Sequence, residues 1–136
     1  MNHEKDVNLE SLYVHLRNNK IKVLEGWIQR YIGEILLNID DKHTSEVEHW
    51  VQKAIEADQR NRMMFHLGHD YTLYADLFIG KGDRLKAQEN LGKAIEIFKE
   101  CGAEGWGTIA EKELATLSQQ VFNRLSKQHA HAHFRR

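Results

Sequence analysis

The chain has 136 residues, 41% hydrophobic and 29% charged, with a net charge of −1 when histidine is neutral. That balance describes one globular domain with a buried core and excludes a disordered chain. It leaves no overall field to draw nucleic acid or an anionic membrane, and no stretch approaches the ~18 apolar residues of a membrane span. Cys101 is the only cysteine, so no internal disulfide forms and a reducing compartment is expected. No apolar run follows Met1–Asp6, which adds to the expectation of a cytoplasmic protein.

Proline is absent, and apolar residues recur at three- and four-residue spacing, which predicts an all-α chain of about six helices. The first carries Leu9, Leu12 and Leu16 and breaks at Asn18-Asn19. The second carries Leu24, Ile28, Tyr31 and Ile35, with Trp27, Ile32, Leu36 and Ile39 widening the stripe, and stops near Asp40-Asp41. Ser45 and Glu48 have capping-box spacing and predict the start of the third. Leu67, Tyr71, Tyr74, Ala75 and Phe78 mark the fourth, which ends at Gly80-Lys81-Gly82. Asp83 caps the fifth, which carries Ala87, Leu91, Ala94, Ile95 and Phe98 and closes at Gly102. Trp106, Ala110, Leu114, Leu117 and Val121 form the sixth. From about Ser126 the pattern fades and a loose tail is expected.

An internal repeat runs through these elements. Lys53-Ala54-Ile55-Glu56 recurs as Lys93-Ala94-Ile95-Glu96, 40 residues later, and Gly33-Glu34-Ile35-Leu36 corresponds to Ala75-Asp76-Leu77-Phe78. Small residues at Gly33, Ala54, Ala75, Ala87 and Ala94 allow helices to approach closely, and Leu36, Val51, Phe78 and Leu91 fill the space beside them.

The run Ala75–Asp83, followed by Ala87, Leu91 and Ala94, resembles a tetratricopeptide repeat, with Tyr71 where that family often has tryptophan. The match is strong over 68–100 and moderate over 24–59. The first copy departs from it by Val47 in place of alanine and a longer turn, and both copies lack the proline that often ends a repeat. The 40-residue step, with Ala94–Phe98 running into Cys101-Gly102-Ala103, is similar to the repeats at the C-terminal end of large bacterial signalling ATPases, cyclases and LuxR/MalT-type regulators.

The resemblance implies antiparallel helical hairpins stacked as a short α-solenoid over residues 1–125. Residues 1–20 would be a flanking helix, 21–59 repeat one, 60–102 repeat two and 104–125 a capping helix, with a flexible His/Arg tail at 126–136. It also implies a non-catalytic scaffold or adaptor that binds another protein or peptide and needs no cofactor. By the same resemblance, the ligand-facing positions are Trp27, Arg30, Glu34 and Asn38 in copy one and His69, Thr72 and Asp76 in copy two. Trp27 would be an apolar anchor and Arg30 a carboxylate or backbone contact. The competing reading is a solvated face with Trp27 in the core. A relative's chaperone-tail clamp needs lysine and asparagine where Glu34 and Asp76 stand, which argues against that ligand.

Other motifs are weaker. His66, His69 and Asp70 share one helix, and His69-Asp70 resembles the dipeptide of metal-dependent phosphohydrolases. That chemistry needs a separate upstream histidine, for which His43 or His49 could serve, and a distant aspartate, yet no aspartate follows Asp83. His129, His131 and His133 form an adventitious metal tract at most. A third expectation is either self-association through a terminal helix, as a two-fold homodimer, or docking onto a larger partner, because Leu9, Leu12 and Leu16 at one end and Leu117, Val121, Phe122 and Leu125 at the other exceed what one inner stripe requires.

Overall fold

The computed structural model describes residues 9–11, 14, 24–39 and 41–134. Leu12, Leu16 and the Asn18-Asn19 break lie outside the described residues, as do most of the flanking helix and Arg135-Arg136. The described residues contain no strand. Residues 9–11 and 14 are helical, and Leu9 packs on the core. The long helices are α1 (Glu25–Ile39), α2 (Thr44–Arg60), α3 (Met64–Gly80), α4 (Arg84–Glu100) and α5 (Glu104–Phe134), with a 3₁₀ turn at Asp41–His43 before α2.

Helices α2, α3 and α4 each have 17 residues. Their starts and that of α5, at 44, 64, 84 and 104, are 20 residues apart, so two helices make the 40-residue repeat. The turns between them close identically. The first turn residue bonds back four positions (Asn61 to Ala57, Lys81 to Leu77, Cys101 to Ile97), and the third bonds back five (Met63 to Asp58, Asp83 to Phe78, Ala103 to Phe98). This closure needs a left-handed central residue, which glycine adopts freely. Gly82 and Gly102 supply it at φ 79° and 81°, whereas Arg62 adopts φ 54° in the first turn. Asp83 caps α4 as its sequence position predicts, its Oδ1 accepting from the Lys86 amide at 3.2 Å.

Two expectations about boundaries fail. Ser45 and Glu48 form no capping box: α2 begins at Thr44, preceded by His43 without a side-chain cap. Glu48 instead accepts from the Tyr74 hydroxyl at 3.0 Å and pairs with Lys81 Nζ at 3.4 Å, so contacts to the neighbouring hairpin displace the local cap. The sixth predicted helix does not end near 125, because α5 is helical through Phe134. Beyond Leu125 the chain loses its apolar pattern but holds no glycine or proline, and Lys127, Gln128, Ala130 and Ala132 favour the helix.

Consecutive helices pack on each other, and α1 also meets α3. Ile28, Ile32, Leu36, Val47, Val51, Leu73 and Leu77 form one core among α1, α2 and α3. Ala75, Phe78, Ala87, Leu91, Ile95, Ala110 and Leu117 form a second among α3, α4 and α5. Ala54, Ala75, Ala87 and Ala94 are fully buried, as the small-residue reading requires, and residues this small allow helices to approach closely.

Candidate functional site

The junction of α1 and α3 gathers the polar residues of both hairpins. Glu34 and Asn38 from α1 and His69, Thr72 and Asp76 from α3 line a groove of about 220 Å³, together with Leu37 and Leu73. Five of the seven residues nominated from the sequence therefore share one surface. The other two do not line it. Trp27 lies on the outer side of α1, 44% exposed, its ring 6.3 Å from that of Tyr31; it is not part of the core. Arg30 is only 7% exposed and is engaged inside the domain.

The groove carries negative charge. Burial pushes the Asp76 carboxyl up to about 6, and Glu113 and Glu34 push it the same way. Neither lysine nor arginine lines the groove. Arg30 approaches Glu34 from beneath, with Nε 3.8 Å from Oε1. The Thr72 hydroxyl donates to the Gly68 carbonyl at 3.1 Å, so its oxygen retains acceptor capacity while its proton is already bound within the helix.

His69 joins the groove to an aromatic cluster absent from the sequence reading. Its ring lies 4.5 Å from Trp106, 4.7 Å from Phe65 and 5.1 Å from Phe98, all edge-on. Burial, with Arg30 and His66 assisting, lowers its pKa to about 4. His69 is thus neutral at physiological pH, an uncharged wall beside the two groove acids. Phe65 and Trp106 are exposed, while Phe98 is buried. A sequence signal for this cluster exists: Phe65 and His69 stand four residues apart on one helix face. The missing part is Trp106, which arrives from α5.

A second cluster lies below the groove. Asp58 and Asp70 are both 0% exposed. Arg30 Nε is 3.8 Å from Asp70 Oδ1, and the guanidinium donates to the His66 carbonyl at 3.3 Å and to His66 Nδ1 at 3.4 Å. Burial and then Arg30 lower the His66 pKa, so the ring is a neutral acceptor whose proton sits on Nε2. His66 and Asp70 consequently both engage Arg30, whereas His69 faces the aromatic cluster. Among the described residues, no group of three or more His, Cys, Asp or Glu side chains is placed to hold a metal ion. The backbone at His129, His131 and His133 is helical.

Helix α5 borders two larger hollows. One of about 560 Å³ lies between Ile79 and Ile109, and one of about 360 Å³ lies between the Lys81–Leu85 turn and Val121, Arg124 and Leu125. Ile109, Phe122 and Leu125 are exposed along this helix. No helix among the described residues is long and apolar enough to cross a membrane. No family model matches the chain, and no curated protein or solved structure matches it either.

Proposed function

We propose that this chain is a non-catalytic protein-interaction module of tetratricopeptide type, acting as a scaffold or adaptor in bacterial signalling or regulation. Its α1–α3 groove receives a lysine or arginine side chain of a partner segment. The observation that carries this reading is the placement of Glu34 and Asp76 in one groove without a basic side chain lining it. A cation entering there meets two carboxylates and the acceptor oxygens of Asn38 and Thr72. Exposed Phe65 and Trp106, next to His69, offer an apolar platform for a neighbouring side chain of the same segment. The 40-residue repeat of hairpins and the resemblance at 68–100 support the module class; fold alone does not name a function. A structural dimer through α5 is a second reading, favoured by exposed Ile109, Phe122 and Leu125.

Selection of binders from a random peptide library tests the proposal. Lysine or arginine should be enriched at one position, next to an apolar residue. Asp76→Asn and Glu34→Gln should each weaken a selected peptide about tenfold or more, because a charge-assisted hydrogen bond contributes about 1.5–3 kcal/mol. Binding should also weaken as the pH falls through about 6, where Asp76 takes up a proton. Peptides without a basic residue, or full affinity in Asp76→Asn, would contradict the proposal.

A further inference from the structure

The buried acids below the groove are not needed for partner binding, and their environment is chemically unusual. A carboxylate is an acceptor only. Asp58 and Asp70 are fully buried, and among the described residues none of their four carboxyl oxygens receives a hydrogen bond from a donor group. Asp58 packs on Gly26 and Asp70 lies beside Arg30, one turn further along α1, so the two acids are neighbours beneath that helix, and Asp58 acts to keep the Asp70 carboxyl neutral. Two buried carboxylates in that position repel strongly, and leaving either unpaired carries a desolvation penalty. One proton between them removes both problems, since the protonated group donates and the other accepts.

The charges that face the pair are few. From α1 come Arg30, 3.8 Å from Asp70, and Glu34, half-exposed and 3.8 Å from the same guanidinium. From α3 come His66 and His69, both with lowered pKa values and therefore neutral. Asp58 itself is the contribution of α2. One guanidinium balances one carboxylate, which leaves room for one negative charge in the pair and not two. The backbone of α1 also seats on this site: Gly26 packs so closely against Asp58 that a Cβ there would overlap its carboxyl group. Residues from three helices thus meet at this one point.

We propose that Asp58 and Asp70 share one buried proton, and that this pair, with Arg30, forms a charge-neutral lock joining α1 to α2 and α3 that weakens as the pH rises. The Asp70 carboxyl is held far above its ordinary range, first by burial and then by Asp58. In the unfolded chain the same group ionises near 3.8. Because the folded value is the higher one, the folded state holds an extra proton across the neutral range. The stability tied to it is complete below the unfolded value and is lost as the pH climbs toward the folded one.

The test is unfolding by urea between about pH 7 and about pH 9, a window above the titrations of His66, His69 and Asp76. The unfolding equilibrium constant of the unaltered chain should rise by up to about tenfold per pH unit, as the loss of one proton requires. Asp58→Asn or Asp70→Asn replaces the shared proton with an amide donor and should flatten that dependence. Infrared spectra at neutral pH should show a protonated carboxylic acid in the unaltered chain and none in Asp70→Asn. A flat profile in the unaltered chain, no protonated acid band, or an unchanged slope in both variants would overturn the proposal. If a variant does not fold, the slope and the infrared band of the unaltered chain decide it.

Discussion

Arg30→Met should destabilise the domain by about 3–5 kcal/mol at neutral pH, the usual cost of removing one partner from a buried ion pair. Methionine fills much of the arginine's volume, so a cavity is not the main effect. The loss is electrostatic: Asp70 loses the cation 3.8 Å away, and the His66 carbonyl and ring nitrogen lose their donors. The variant should recover stability in mild acid. With no cation beside it, Asp70 is more stable still as a neutral acid, so stability returns as the pH falls. Urea midpoints followed by circular dichroism at about pH 5 and about pH 7 check this. A solvent-exposed arginine binding partner carboxylates would show only the small loss typical of a surface residue.

Gly68→Ala should also destabilise the domain, by a smaller amount and for a steric reason. A Cβ at Gly68 would lie 2.5 Å from Cε1 of Phe98 and 2.8 Å from two further ring atoms. Phe98 is 1% exposed and sits among Phe65, His69 and Trp106, so its ring has no open space to enter. Alanine gains about 1 kcal/mol of helix propensity over glycine, but overpacking of this kind costs about 1–3 kcal/mol or more. The net expectation is a loss of up to about 2 kcal/mol and a fall in Tm of up to about 10 °C. Phe98→Leu in the same chain should recover part of that loss, a coupling that a double-mutant cycle measures. Gly92 is the control, because a Cβ there meets nothing within 4 Å, and Gly92→Ala should leave stability unchanged or raise it.

The parts of this fold that were legible in the sequence are the local ones. Apolar spacing located the helices, since each must bury one stripe, and Asp83, Gly82 and Gly102 marked turns through their own backbone chemistry. Ser45 and Glu48 misled because a capping box is marginal beside Tyr74 and Lys81, which arrive from α3 and its following turn. The extent of α5 is not legible in the apolar pattern, which fades after Leu125 although no glycine or proline breaks the helix there.

In the site, Glu34, Asn38, His69, Thr72 and Asp76 came together because equivalent faces of successive hairpins adjoin, and a repeat makes that readable. Arg30 belonged to the same face by spacing, but its long side chain reaches inward to Asp70, which spacing does not reveal. Asp58 and Asp70 did carry a signal. Asp58 follows Ala54 by four residues and Val51 by seven, and Asp70 lies three residues from both Leu67 and Leu73, so both stand on buried stripes where an acid is out of place. Their mutual approach depends on how α2 and α3 pack, and no local pattern encodes it.

Entry of a basic side chain into the α1–α3 groove is tested most directly by amide chemical-shift mapping with a lysine-bearing peptide from the library selection. The largest shifts should fall on Glu34, Asn38, His69, Thr72 and Asp76, with a smaller set on Phe65 and Trp106, and Asp76→Asn should abolish them at the same peptide concentration. Shifts confined to Ile109, Phe122 and Leu125 on α5, or a pattern unchanged by Asp76→Asn, would contradict it.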